Sequence, residues 1–543
     1  MTEFSDLIAI ALVCTKIVLI GVSVIFLLSG LDDLFIDACY LVRALWRKVV
    51  VTPRYSPLAE QKLLDKPEQP VAIMLPAWDE SAVIRPMLMN TLRTLAYGNY
   101  HVFVGTYPND KDTQREVDEV CAISDRVHKV VTADPGPTCK ADCLNWIYSG
   151  IRNYERESGI EFQIFVMQDC EDVIHPLCYR IFNWLIPRKD MVQLPVLSLA
   201  RKWYEFTASH YIDEFAQLHN KDMVVREAIN RSVPAAGVGV AFSRRALQTA
   251  AKENNGQVFS VNSLTEDYDF GFRLKEYGLK QVFVRFWTTR TVRRKHWLTR
   301  RERDVSVPDL VCIREYFPSD FHASIRQKSR WVVGIALQGW EHLGWHGGLA
   351  NCYMLYRDRK ALLTNLVNLI GYVIALAIIA LAVWNWLDPE AYRYPSLIEP
   401  GGMLWYLMIA NGVLFGVRIA LRVWCTTRFY DPVQGLLSVP RMVWGNLINF
   451  FATARAIKLY VRYLRTGKKI GWDKTQHVYP SDEELSTQRR RIGELLIERR
   501  MINPQQLAQA LADQQRSQER LGEVLKRMGY VGENQLAQAL SAQ

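Results

Sequence analysis

No Cys-x-x-Cys pair occurs among the ten cysteines, and no Cys/His group has the spacing of zinc ligands. A structural zinc module is thereby excluded, and the scatter of the thiols fits reduced side chains rather than a disulfide framework. No G-x-x-x-x-G-K-[ST] loop is present, so the chain carries no P-loop ATPase of its own. No A-x-A site follows the first apolar run, and the residues before that run include Glu3 and Asp6. A cleaved signal peptide needs the opposite of both, so an uncleaved anchor is expected. Over 543 residues the chain is 49% hydrophobic and 22% charged. That is too apolar for a disordered protein and too polar for a polytopic transporter, which leaves a soluble core plus a few spans. The net charge of +10 suits an anionic lipid surface, a nucleotide substrate or a nucleic acid, without choosing among them.

Three apolar runs are long enough to cross about 30 Å of hydrocarbon. Residues 7–28 carry one charge, Lys16, and residues 361–387 carry none. Residues 403–425 have Arg418 and Arg422 near their end. A mid-span lysine costs about 2.5–3.5 kcal/mol, so Lys16 is expected to face another helix. Arg43, Arg47, Lys48 and Arg54 follow the first run, Arg357, Arg359 and Lys360 precede the second, and Arg428 follows the third. The positive-inside rule then sets residues ~50–355 and everything after ~425 in the cytoplasm. Residues 436–465 are apolar but contain Pro440, Arg441, Arg455, Lys458, Arg462 and Arg465. A crossing there would export a basic tail, so an interfacial amphipathic helix on lipid headgroups is expected.

Between the first two spans, β-rich runs at 71–75, 101–105, 127–131, 162–168, 191–199 and 282–286 alternate with helical stretches. Alternation predicts a mostly parallel α/β sheet with its ligands beyond the carboxyl ends of the strands. Pro76-Ala77-Trp78-Asp79-Glu80 follows the first run, and Asp169-Cys170-Glu171-Asp172 follows the fourth. Crowded carboxylates at a strand end either form a solvated acidic turn or share a hard cation such as Mg²⁺ or Mn²⁺. Thr265-Glu266-Asp267 then precedes a helix-like stretch, either as an N-cap or as a base for a sugar hydroxyl. Gln327-Lys328-Ser329-Arg330-Trp331 offers a guanidinium for diphosphate and an indole for stacking, or simple surface packing.

In this order, the set P-A-x-[ND]-E, D-x-[DE]-D, T-E-D and Q-x-x-R-W resembles the inverting family 2 glycosyltransferases of GT-A fold. The likeness is to the membrane-bound branch of cellulose and hyaluronan synthases, over about residues 70–345. Lys140-Ala141-Asp142-Cys143-Leu144-Asn145 and residues 237–244 match further stretches of that pattern. The resemblance implies donor contacts at Pro76, Glu80, Asp110, Lys140 and Asp169, with metal at Asp169 and Glu171. It implies Asp267 as general base beside Thr265 and Glu266, and Gln327, Arg330 and Trp331 over diphosphate and acceptor. Two positions depart from the pattern. Asp110 stands alone where an aspartate pair is usual, and Glu171 replaces an aspartate.

Glu315-Tyr316-Phe317-Pro318, Arg326 to Trp331, and Trp472-Asp473-Lys474-Thr475-Gln476-His477 further resemble the bacteriophage N4 adsorption protein B family. That resemblance implies a bacterial inner-membrane enzyme making a surface exopolysaccharide that serves as a phage receptor. The implied donor is a UDP-N-acetylhexosamine, such as the N-acetylmannosamine form, and the implied acceptor is a polysaccharide or lipid-linked glycan. An outer-membrane or periplasmic export partner and membrane lipids follow; a nucleic acid does not. Rival readings are a non-processive enzyme loading one sugar on a lipid, and an inactive membrane scaffold for phage adsorption.

The tail repeats. Residues 491–514 and 520–543 align at Arg491/Arg520, Ile492/Leu521, Gly493/Gly522, Leu496/Leu525, Leu507/Leu536, Leu511/Leu540 and Gln514/Gln543. Each unit reads as two short helices around a turn, which a plain helical docking module would also satisfy. The pattern resembles the MshEN domain, and that implies cyclic di-GMP as an activator bound by these residues, with Arg500 departing where the pattern has glycine. The expected organisation is an anchor and linker at 1–69 and a GT-A domain at 70–350. Membrane helices two and three with the interfacial helix follow at 351–465, a gating linker at 466–490, and a small all-α domain at 491–543.

Overall fold

The computed structural model describes the chain except for residues 1, 296–301, 389–396, 469, 472–473, 475, 487–491, 499–500, 518, 534 and 537–543. Its centre is a sheet built from β1 (Val71–Pro76), β2 (Tyr100–Thr106), β3 (Val127–Val131), β4 (Ile164–Met167), β6 (Met191–Gln193), β8 (Val240–Ser243) and β9 (Gln281–Phe283). A second, three-stranded sheet joins β5 (Val173–Ile174), β7 (Val196–Ser198) and β12 (Ile313–Glu315), and β10 (Trp287–Lys295) pairs with β11 (Glu302–Leu310) as a long hairpin. The central order is β3-β2-β1-β4-β8-β6-β9. Strands β3, β2, β1 and β4 run parallel, with Val71 opposite both Tyr100 and Ile164, whereas β8 is antiparallel to β4 and β6. The expected GT-A-like α/β fold is therefore present, but its sheet is mixed.

Alternation along the strands separates two cores. Val71, Ile73, Leu75, Val102, Val104 and Val166 pack beneath helices Ile84–Thr94 and Cys178–Leu185. Ala72, Met74, Phe103, Phe165 and Met167 pack beneath Lys140–Ser158 and Glu266–Glu276. A sheet covered on both faces reads as continuous apolar runs, as these strands do. The expected strand over 191–199 divides at Leu194-Pro195. Proline has no N–H for the ladder, and the chain leaves β6 of the central sheet for β7 of the smaller one at that point.

Among the described residues, three helices are long and apolar enough to cross a membrane: Ile10–Val51, Leu349–Leu387 and Met403–Phe429. Leu19, Val22, Val367, Ile374 and Leu404 form their shared contact. Lys16 pairs with Glu399, 3.0 Å away in the connection after the second helix, rather than with a residue of another helix. Helix Pro432–Thr466 lies against helix Phe321–Trp331 and the third span. Its Arg441 is fully buried and forms two bonds with Asp213, at 2.8 and 3.0 Å.

In the tail, helices Ile492–Glu498, Pro504–Ser517 and Leu521–Arg527 enclose one small core of Leu496, Ile502, Ala510, Val524, Leu525, Val531 and Leu536. Equivalent repeat positions meet equivalent partners. A Cβ on Gly493 would lie 2.6 Å from Leu507, and one on Gly522 would lie 3.0 Å from Leu536. These glycines make room for leucine. Arg491, Leu540 and Gln543 lie outside the described residues, as do Trp472, Asp473 and Thr475.

Candidate active site

The site lies where β1 and β4 end side by side. Beyond β1, Asp79 takes a left-handed conformation (φ 55°), sparsely populated for any residue with a Cβ. Asp110 holds it there, its carboxylate accepting from the Asp79 amide at 2.6 Å. The same carboxylate accepts from the Thr113 amide at 3.2 Å and caps helix Lys111–Cys121. Trp78 meets Tyr107 edge to face at 5.1 Å and lies against Gly136, where a Cβ would stand 2.4 Å from the indole. Asn109 fixes that glycine through both its N–H and its carbonyl, at 2.7 and 2.8 Å. Pro76 closes β1, its carbonyl accepting from the Cys170 thiol at 3.4 Å.

Beyond β4, Asp169 pairs with Lys140, the first residue of helix Lys140–Ser158, at 2.6 Å. Lys140 also faces Glu266 and Asp267; burial alone would lower its pKa, but these three carboxylates raise it. Asp267 sits in the first turn of helix Glu266–Glu276 and accepts from the Tyr268 amide at 2.8 Å. Burial raises the Asp267 carboxyl against the pull of Lys140. Burial and the neighbouring Asp267 push Glu266 up to about 8. Gly237 (φ 76°) passes directly over this group, where a Cβ would meet the Asp267 carboxylate at 2.7 Å.

Glu171 is buried, with one oxygen facing His477 at 3.2 Å and the other without a hydrogen-bond partner. Burial, with Asp169 and Glu80 adding to it, moves Glu171 up to about 7 against the pull of His477. Glu315 faces the same group. Burial, then Glu171 and Asp169, hold its carboxyl well above the usual range. Sequence reasoning singled out the segment containing His477 but assigned that residue no contact, and it left Glu315 without a role.

His477 also lies 2.9 Å from Glu80, and Lys474 lies 3.3 Å from it. Burial disfavours the charged imidazole, but Glu171 and Glu80 outweigh it and raise His477 to about 9. Lys140 and His477 thus supply the positive charge among carboxylates that would otherwise repel one another. Among the described residues, no three ligating side chains converge as a ready-made cation cage. The open oxygen of Glu171 beside Asp169 nonetheless fits an Mg²⁺ or Mn²⁺ ion, which takes one or two carboxylates when substrate phosphates supply the rest. A cavity of about 600 Å³ opens beside His477, between helix Ile84–Thr94 and the strap that ends near Leu485.

Helix Phe321–Trp331 leads toward the Thr265 turn, which Gly334 just beyond the helix approaches. It continues as a wider, π-type turn, Val332–Gln338, in which Gln338 accepts from the Leu264 amide at 3.0 Å. Gln327 is buried with its carbonyl oxygen unpartnered. Trp331 lies among Tyr211, Phe215 and Phe317, with ring centroids 6.1–6.4 Å apart. Arg330 is the residue before it on the same helix. The structure therefore brings Glu80, Lys140, Asp169, Glu171, Glu266 and Asp267 into one group, with Thr265 next to Glu266 in the chain.

The chain is similar to known proteins over most of its length. The model of the Glycosyl transferase family group 2 matches residues 164–387. Bacteriophage adsorption protein B of Escherichia coli (strain K12) is 44% identical over 506 residues, which cover 93% of this chain and 68% of that protein. The chain belongs to the bacteriophage N4 adsorption protein B family. The family's representative from E. coli O157:H7 matches with the same identity and coverage. A solved structure, the mannosyltransferase PcManGT from Pyrobaculum calidifontis in complex with GDP-Man and Mn²⁺, is 14% identical. It covers 79% of this chain and 99% of its own, with a TM-score of 0.43. The chain is accordingly a membrane glycosyltransferase-like protein of family 2, carrying an α/β GT-A-like domain on three apolar helices.

Proposed function

We propose that this chain is an inverting inner-membrane glycosyltransferase. It would move a sugar from a UDP-sugar, in the class of UDP-N-acetylhexosamines, onto a growing surface exopolysaccharide at the cytoplasmic face. The observation that carries the reading is the Asp267–Lys140–Asp169 group at the strand ends. A carboxylate raised above its ordinary pKa is the stronger base for a hydroxyl proton, and burial raises Asp267.

In this reading the acceptor hydroxyl attacks the anomeric carbon from the face opposite the diphosphate. The bond from that carbon to the phosphate oxygen breaks, the hydroxyl proton passes to Asp267, and the configuration inverts. Lys140 meets the charge that gathers on the departing UDP. A divalent cation held by Asp169 and Glu171 would, when bound, neutralise the diphosphate. Glu80 and the Trp78–Tyr107 corner are the walls for the nucleoside, and Gln327, Arg330 and Trp331 are the acceptor side.

The docked residues Lys474 and His477 support the gating role expected for 466–490, because they occupy carboxylates that the donor complex would use. The tail repeat supports cyclic di-GMP binding at residues that include Gly493, Leu511, Gln514, Arg520 and Gly522. Its occupancy would favour release of that strap. The product would serve as phage receptor and pass to an outer-membrane or periplasmic export partner.

The test is nucleotide release by detergent-purified protein across a panel of UDP-sugars with Mg²⁺ or Mn²⁺, with and without cyclic di-GMP. Release from one UDP-sugar that the dinucleotide increases, with a ladder of long products, is expected. A single added sugar would replace the polymer reading with the lipid-linked one. Release that Asp267→Asn leaves intact would remove Asp267 from its role.

A further inference from the structure

The residue after Asp267 is tied to a membrane helix. Tyr268 is buried, and its hydroxyl donates to Asp358 at 2.5 Å. Asp358 stands on helix Leu349–Leu387, just before the uncharged run at 361–387. The carboxylate is itself fixed by Arg226, whose guanidinium also reaches the Met354 carbonyl at 3.3 Å. The Tyr268 ring packs with Phe272, Leu343 and Leu355, and Gly339 approaches its edge. A buried tyrosine needs a partner for its hydroxyl. Here the partner is a charged carboxylate from a different element, and a charge-assisted bond is short and directional.

The same turn of helix faces the first span. Arg357 reaches Asp32 at 2.6 Å, Lys360 reaches Asp33 at 2.7 Å, and Tyr353 donates to Asp32 at 2.6 Å. Positions 353, 357 and 360 recur at helical spacing on one face, whereas 355 and 358 lie on the face toward Tyr268. A continuous path of bonds therefore runs from Asp32 and Asp33 through the root of the second span to the residue beside Asp267.

We infer that Asp358 is a positioning residue for glycosyl transfer. Through Tyr268 it sets how helix Glu266–Glu276 is turned about its axis, and so where the Asp267 carboxylate points. Seating of the membrane helix and aim of the base become one variable. The inference rests on the reading of Asp267 as base. It adds a residue outside the reacting group, on a membrane helix, to the parts that fix the rate.

The experiment measures UDP release from a UDP-N-acetylhexosamine with Mn²⁺ for Tyr268→Phe, Asp358→Asn, the double variant and Asp358→Glu, with Asp267→Asn as reference. A misplaced reacting group costs rate rather than affinity. Tyr268→Phe and Asp358→Asn should each lower kcat on the order of 10- to 100-fold and leave the donor KM within about twofold. The double variant should be no slower than the worse single, because both cut one path, and Asp358→Glu should recover part of the rate. Wild-type kcat in both singles, with Asp267→Asn inactive, overturns the inference and leaves the base reading standing. Losses that multiply in the double variant and raise KM with the fall in kcat overturn it in favour of a purely structural bond. Full turnover by Asp267→Asn overturns the base reading, and the inference with it.

Discussion

His477 and Glu80 lie 397 residues apart in the chain and 2.9 Å apart in the fold. The imidazole reaches Glu171 with its other nitrogen, 3.2 Å away. A segment beyond the last apolar helix is thus clamped onto the two strand ends that open the chain's α/β domain.

A divalent ion and His477 draw on the same Glu171 carboxylate. Replacing His477 with alanine should lower the Mn²⁺ concentration that half-saturates nucleotide release, by threefold or more on the order of the loss of one charge-assisted bond. An unchanged or higher Mn²⁺ requirement would argue that the strap helps to hold the donor complex.

Gly237 is confined from two sides. Its backbone is left-handed, and the Asp267 carboxylate fills the space a Cβ would need. Gly237→Ala should cost about 1 kcal/mol or more in stability and push Asp267 aside, so that kcat falls at least as far as for Tyr268→Phe. Melting curves and kcat measured together separate the two effects.

Arg441 and Asp213 form a fully buried ion pair between helix Pro432–Thr466 and helix Phe206–Gln217. Arg441→Ala leaves Asp213 buried without that partner and should cost about 3–5 kcal/mol. Arg441→Met combined with Asp213→Asn should recover much of the loss, which thermal unfolding in detergent would register.

Acid should weaken the sheet edge through His128. Burial, and the His101 ring 2.9 Å away, hold His128 down to about 4. The unfolded chain takes up that proton near 6.5 and the folded chain does not until about 4. Stability therefore declines as pH falls through this window and is unaffected above it. His128→Phe should lose less melting temperature between pH 7 and pH 4 than the wild type.

Arg520 lies exposed at the start of helix Leu521–Arg527 and makes no capping bond with its side chain. If the tail answers to cyclic di-GMP through this residue, Arg520→Ala should reduce the ratio of turnover with and without the dinucleotide toward one. An unchanged ratio would place the response elsewhere.

The strands were readable because both faces of the sheet are buried, so β1, β2 and β4 are plain apolar runs. The acidic groups at Glu80 and Asp169-Cys170-Glu171-Asp172 stood at the strand ends where such sheets hold ligands. The antiparallel pair Trp287–Lys295 and Glu302–Leu310 was not foreseen: five Lys and Arg residues interrupt any period-two pattern in these two strands. The split at Pro195 and the reversal of β8 depend on contacts between distant segments, which no local pattern encodes. The same holds for Lys474 and His477. Their sequence marked a structured segment, but only the fold shows which carboxylates they meet. In the tail, the repeat was visible as spacing, whereas the packing of Gly493 against Leu507 required the two helices to be brought together.

The late position of His477 has a consequence for synthesis. The first apolar helix is made before the strand ends that the imidazole covers and the other two after them, and the imidazole follows about 50 residues beyond the third helix. At roughly 5–20 residues per second, the 306 residues from Glu171 to His477 leave these carboxylates bare for roughly 15–60 seconds. During that interval the nascent domain must bear their mutual repulsion with Lys140 alone, or borrow a cation from its surroundings until its own arrives.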